Sequence, residues 1–141
     1  NQLGVHEDAE KIVKVIAGKF ENAEGPEKNH NVEPIYFHVV LEEGKKFKCD
    51  VPDGHNSFVY LLVGDLTIGE NKHDKIDNSN LILLDRGHKL IVKANKKSEF
   101  LFIAGKPIGE PIARGGPFVM NTKAEILQAV QDYHNGTFAK Y

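Results

Sequence analysis

Apolar residues along most of this chain fall in short runs, each closed by residues that favour turns. The first run is KIVKVIAG, from Lys11 to Gly18, and a polar stretch from Glu21 to Glu33 with Gly25-Pro26 follows it. Then comes IYFHVVL, which Glu42-Glu43-Gly44 turns into KKFKCDV. The next segment, VPDGHNS, has the Pro, Asp, Gly and Asn content of a loop. FVYLLVGDLTIGE predicts two strands bent at Gly64-Asp65 and ending at Gly69. A polar loop from Asn71 to Asn80 leads to LILLD, and Arg86-Gly87-His88 turns into KLIVKA. There Leu90 and Val92 alternate with Lys89, Ile91 and Lys93, the two-residue period of a strand. Asn95-Lys96-Lys97-Ser98 then predicts a turn into EFLFIAG. Roughly eight or nine strands at about 8–12-residue spacing predict an all-β sandwich or barrel. Residues 1–10 are polar and predict a flexible tail ahead of a single domain over residues 11–141.

Only the C-terminal part breaks the strand pattern. From Lys123 to His134 the residues Ile126, Leu127, Val130 and Tyr133 share one helical face. Thr122 with Glu125 has the spacing of a capping box, and Gly136 can close the helix in the left-handed conformation. The stripe predicts a helix packed on the sandwich wall. Just before it, the apolar Pro117-Phe118-Val119-Met120 stretch fits neither a helix face nor an alternating strand.

Composition changes this picture little. The 141 residues suit one domain, with 40% hydrophobic and 27% charged residues, ordinary for a globular chain. A net charge of -2 and a pI near 6.4 offer no basic field for a phosphate backbone, so no nucleic-acid partner is expected. Arg86, Lys89, Lys93, Lys96 and Lys97 are expected to form a solvated edge. No stretch approaches the ~20 apolar residues of a membrane span, so no membrane partner is expected either. Cys49 is the single cysteine and fits a reducing, cytoplasmic setting, as a half-buried strand residue rather than an activated thiol. The chain opens on Asn1, not Met, as expected of a processed or trimmed chain.

Seven histidines raise the question of a metal. His6 and His30 lie in polar flanks, His73 in a Lys/Asp loop, and His134 at the negative end of the helix dipole. His38, His55 and His88 lie in or beside apolar strands, but none belongs to an H-x-H pair and no Glu follows His55 at ligand spacing. They are expected to be core or rim histidines. Ser57, Ser79 and Ser98 lack a nucleophile elbow, and Gly105, Gly109, Gly115 and Gly116 lack phosphate-loop spacing. No catalytic motif stands on its own chemistry.

Two stretches resemble known families. SFVYLLVGDLTIG resembles the first cupin motif, a strand turned by Gly-Asp into the next. EFLFIAGKPIGEPIARGGPFVMNTKAEILQAVQDYHNGTF, from Glu99 to Phe138, closely resembles the C-terminal signature of the pirin family. With IVKVIAG and PIYFHVVLEEG as weaker support, the resemblance extends from about Ala9. It implies a cupin-type double-stranded β-sandwich (jelly roll) with one C-terminal α-helix.

The resemblance also implies a division of labour. Pirins look like two cupin lobes in tandem, with iron or another transition metal held by three histidines and a glutamate of the N-terminal lobe. Some members are implicated in quercetin dioxygenation, and animal members in nuclear transcription. This chain matches the C-terminal lobe only. Where the first cupin motif would supply ligands, it has Asp53, His55 and polar or apolar residues, and VKANKKSEF lacks the histidine of the second. No catalytic or metal residue and no cofactor is therefore expected in this chain. The expected role is structural or small-ligand-binding, with His38, His55 and Tyr60 as ligand-binding candidates. Phe118, Val119 and Met120 are expected either to close the sandwich beneath the helix or to contact an N-terminal lobe or a second copy, most simply as a homodimer. Two alternatives follow: part of a pirin-type dioxygenase whose catalytic lobe lies outside this chain, or a stand-alone ligand-binding cupin.

Overall fold

The computed structural model describes residues 2–27, 31–69, 75–76 and 79–139. His30, His73 and most of the loop expected over Asn71–Asn80 lie outside the described residues. The strands are β1 Gly4–Glu7, β2 Lys11–Ala17, β3 Lys19–Phe20, β4 Ala23–Glu24, β5 Ile35–Leu41 and β6 Lys46–Asp50. They continue with β7 Asn56–Ile68, β8 Lys75–Ile76, β9 Leu81–Leu83, β10 Lys89–Gly105, β11 Ala113–Gly115 and β12 Phe118–Met120. One helix, α1, spans Lys123–His134. The chain divides into two compact units, Asn1–Pro107 and Ile108–Tyr141.

The first unit is built on two long strands. β7 and β10 pair antiparallel from Val92↔Ile68 to Gly105↔Asn56. Along the other edge of β10, β6 takes Lys89–Lys93 and β5 takes Ser98–Ala104. Between these two partners β10 bends, with register shifts between Ala94 and Phe100. The bend brings the β6 arm over the β5 arm and closes a cupin-type β-sandwich. Phe47 of β6 stacks on Phe20 at 5.3 Å and meets Phe100 edge-on at 5.7 Å. Phe37 of β5 meets the same Phe20 at 5.7 Å and Phe102 at 6.1 Å. Phe37, Phe47, Phe100 and Phe102 are wholly buried, with Leu61, Leu66 and Val92 around them.

Three expectations need correction. Gly64-Asp65 bends one continuous strand instead of separating two, and Asn95–Ser98 is a bulge within β10, not a turn. The two irregularities face each other, Asp65 opposite Lys96, so the strands bend together. The polar residues at the bend are satisfied across it. Ser98 Oγ accepts from the Asp65 N–H at 3.1 Å and donates to the Lys96 carbonyl at 2.7 Å. The Asn95 amide donates to Asp65 Oδ1 at 2.7 Å and to Thr67 Oγ1 at 2.9 Å.

The N-terminal residues are likewise no frayed tail over their described length, because Gly4–Glu7 pairs with Ile12–Val15 of β2. Asp8 makes the turn. Its Oδ1 accepts the N–H groups of Glu10 and Lys11 at 2.7 and 2.9 Å, and Lys11 Nζ reaches Oδ2 at 2.7 Å. The Lys11 ammonium and these backbone donors hold the Asp8 carboxyl well below the usual carboxylate range.

In the second unit, the Pro-Phe-Val-Met stretch supplies β12, paired with β11 from Ala113↔Met120 to Gly115↔Phe118. Phe118 turns toward the helix, its ring 6.0 Å from Tyr133 and 5.0 Å from Phe138. Ile126 and Val130 are half-buried and Ala129 is buried, while Leu127 stays 66% exposed. The covered stripe is thus rotated from the expected one. Both ends of α1 follow expectation. The Glu125 N–H donates to Thr122 Oγ1 at 3.2 Å, and the Thr122 N–H donates to the Glu125 carboxylate at 2.7 Å. Beyond the helix, Thr137 N–H bonds to the Asp132 carbonyl at 2.8 Å and Gly136 N–H to that of Tyr133 at 3.2 Å, with Gly136 at φ 71°. This is a Schellman closure. Thr122→Ala is expected to destabilise the second unit by ~0.5–2 kcal/mol, the usual loss for a cap. Helix CD followed through a urea titration checks this, and an unmoved midpoint would mean that the cap does not matter.

Candidate functional site

The three ligand-binding candidates do not come together. His38 sits on β5 between buried Phe37 and Val39, so its ring faces away from the core. Tyr60 sits between buried Val59 and Leu61 on β7 and also faces outward. Both residues pair with Leu101 of β10, so they share one row of the outer sheet surface. A ligand held inside the barrel would not meet them. His38 Nε2 lies 2.6 Å from Glu99 Oε1, two residues along β10 on the same face. The reading by residue type missed Glu99, because only the cross-strand register brings it to His38.

His55 is separate from that row and 5% exposed, in the loop between β6 and β7. Its Nε2 donates to the Glu33 carbonyl at 3.1 Å, which leaves Nδ1 as a buried lone pair with no hydrogen-bond partner. A ring held in this way could offer one nitrogen to a metal. Among the described residues, however, no group of three His, Cys, Asp or Glu side chains could hold an ion. The transition metal implied by a cupin fold therefore does not fit the described residues of this lobe.

The other candidates stand apart as well. His6 contacts Asp8 at 3.3 Å and packs edge-on against Phe20, and His88 is exposed. Cys49 is buried, its Sγ 3.2 Å from the Asp50 carbonyl, and burial aided by the Asp50 charge pushes the thiol up to about 12. It stays protonated at neutral pH and is no nucleophile. A cavity of about 330 Å³ lies between Lys19-Phe20-Glu21 and Lys48-Cys49-Asp50, and one of about 220 Å³ lies beside Val51, Ser57 and Leu90. Neither is lined by His38, His55 or Tyr60.

Phe118, Val119 and Met120 occupy the β11–β12 hairpin. Phe118 is engaged with the helix, whereas Val119 is 61% exposed and available to a neighbour.

A cupin-type sandwich followed by a C-terminal hairpin and helix narrows the family. The model for the pirin C-terminal cupin domain matches residues 36–139. This chain belongs to the pirin family. Human pirin is 39% identical over 104 residues, covering 72% of this chain and 36% of its own length. A pirin-like protein of Caulobacter vibrioides is 36% identical over 127 residues, covering 89% of this chain and 45% of its own length. The crystal structure of quercetin 2,3-dioxygenase from Acinetobacter baumannii superposes with a TM-score of 0.81 at 32% identity, covering 95% of this chain and 46% of that one. The chain spans about half the length or less of the curated relatives that it matches. No described helix in this pirin domain is long and apolar enough to cross a membrane.

Proposed function

We propose that this chain is a metal-free cupin lobe of a pirin-type protein, with a structural or small-ligand-binding role rather than a catalytic one. The observation that carries the reading is the placement of its histidines. His38 is committed to Glu99 on the outer face, and His55 is tied to the Glu33 backbone with one lone nitrogen. A redox metal needs several convergent donors with open positions, and these two side chains do not converge. The partners in this reading are an N-terminal cupin lobe or a second copy of the chain, and the lone cysteine suits the cytoplasm.

The second reading, part of a quercetin dioxygenase, draws on the Acinetobacter relative. In that case the oxygen chemistry belongs to the portion of a family-length protein outside this chain. Elemental analysis of the dialysed 141-residue chain tests the proposal. The expected result is far less than one transition metal per chain. About one iron, nickel, copper or zinc per chain would overturn it.

A further inference from the structure

The cavity of about 220 Å³ is an unfilled end of the sandwich interior. Strand alternation shows this. Ser57 comes two residues before buried Val59 on β7, and Ile68 two residues after buried Leu66, so both point inward. Ile68 also pairs with buried Val92 of β10. Val51 and Leu90, on the same wall, are themselves buried. The larger cavity, beside Lys19 and Lys48, is different in kind. Apart from Phe20 and Cys49, its walls are exposed charged residues. Small-molecule sites are mostly apolar with a few placed polar groups, and only the smaller cavity has that make-up.

Backbone hydrogen bonds hold its walls. The Leu84 N–H donates to the Ser57 carbonyl at 3.0 Å, the Gly69 N–H to that of Ile91 at 2.9 Å, and the Val51 N–H to that of His88 at 2.9 Å. Leu84 also packs its side chain against the core. Only Asp85, Arg86 and Gly87 separate Leu84 from His88, so this short bridge on the cavity rim is tied at both ends. Lys89, also on the rim, has its Nζ 3.7 Å from Asp50 Oδ1. Arg86 is exposed and makes no ion pair or hydrogen bond among the described residues, not even with neighbouring Asp85. The rim therefore holds an uncommitted guanidinium above an apolar hole.

We propose that this cavity binds a small apolar carboxylate, its body against Val51, Ile68 and Leu90 and its carboxylate on Arg86. The proposal rests on the small-ligand side of the lobe reading above and names its site and ligand class. Three features select the ligand. The inward wall is apolar except for Ser57, and a polar body buried there without partners would lose free energy. Pockets for drug-sized ligands run to about 300–1,000 Å³, so this smaller space suits a single ring or a short branched chain. The planar fork of Arg86 matches a carboxylate with two parallel hydrogen bonds, and such charge-assisted pairs are about twice as strong as neutral ones. A neutral or cationic ligand would leave that fork unused.

Titration of the chain with sodium benzoate at neutral pH, followed by methyl NMR, tests this. The methyl signals of Val51, Ile68, Leu84 and Leu90 are expected to shift and saturate with a dissociation constant of about 1 mM or tighter. Benzyl alcohol, a ring without the charge, should bind more weakly. Acetate, the charge without a ring, should leave these methyls unmoved. Arg86→Gln should raise the benzoate constant about 10-fold, the loss of a charge-assisted contact, with no change in that of benzyl alcohol. Since Arg86 is exposed, the variant should keep the parent's spectrum away from the site. Shifts that do not saturate by about 10 mM would overturn the proposal. So would Arg86→Gln binding benzoate as the parent does, or benzoate moving signals only beside Lys19 and Lys48. Metal content separates this site from the reading beneath it. A metal-free chain that ignores benzoate would remove the site and leave a structural lobe, whereas a metal-loaded chain that binds it would remove the functional reading alone.

Discussion

Phe100→Ala is expected to lower the unfolding free energy by about 3–5 kcal/mol, the usual loss when a buried aromatic ring leaves a cavity. Phe100 has no exposed surface and stands at the point where β10 has just completed its bend. Its ring meets Phe47 edge-on at 5.7 Å, so it joins the β5 arm to the β6 arm directly. The vacated space cannot close easily, because Phe47 is held on its other side by Phe20 at 5.3 Å. Domains of this size are stable by only about 5–15 kcal/mol, so the variant would lose a large share of its stability. Denaturant titrations of the variant and the parent, followed by CD, provide the measurement. Phe100→Leu, which keeps most of the apolar volume, should cost clearly less. Equal losses for the two would mean that the ring contact with Phe47 contributes little beyond bulk.

Much of this core was legible in local pattern. Leu90 and Val92 alternate with Lys89, Ile91 and Lys93, and both are buried in the sandwich. Thr122, Glu125 and Gly136 mark the helix ends through hydrogen bonds that span a few residues, so a local reading suffices. What was not legible depends on which strand lies opposite. Asn95–Ser98 and Gly64-Asp65 each look like turns when taken alone. They stay within strands because each meets the other's irregularity across the β7–β10 ladder. Gly4–Glu7 is too short to declare itself, and only the free edge of β2 makes it a strand.

The candidate site was harder to read for the same reason. IYFHVVL is apolar at nearly every position, so alternation does not reveal which way His38 points. Phe37 decides it by entering the core. His55 lies in a segment with loop composition, and nothing nearby in the chain announces that the Glu33 carbonyl will bury it. The absence of H-x-H spacing was readable in the sequence. The outward pairing of His38 with Glu99, 61 residues away, was not.

Gly64→Ala should destabilise the first unit by about 3–5 kcal/mol, from two effects that add at one position. Gly64 has φ 110°, a conformation that side chains rarely adopt. An added Cβ would also fall 2.7 Å from the Ser98 Cα, where a backbone atom cannot move aside as a flexible side chain could. Ser98 is itself pinned, since its hydroxyl bonds to both Asp65 and Lys96. Relief of the clash must therefore disturb the paired bends that let β7 and β10 wrap the core. Gly54→Ala separates the two effects. Gly54 has φ 77° but nothing within 4 Å of its added Cβ, so it carries strain without collision. It is expected to cost about 1 kcal/mol. A Gly64→Ala loss no larger than that of Gly54→Ala would show that the two strands can part at Ser98 without penalty, and the paired bend would then not be what holds the arms in place.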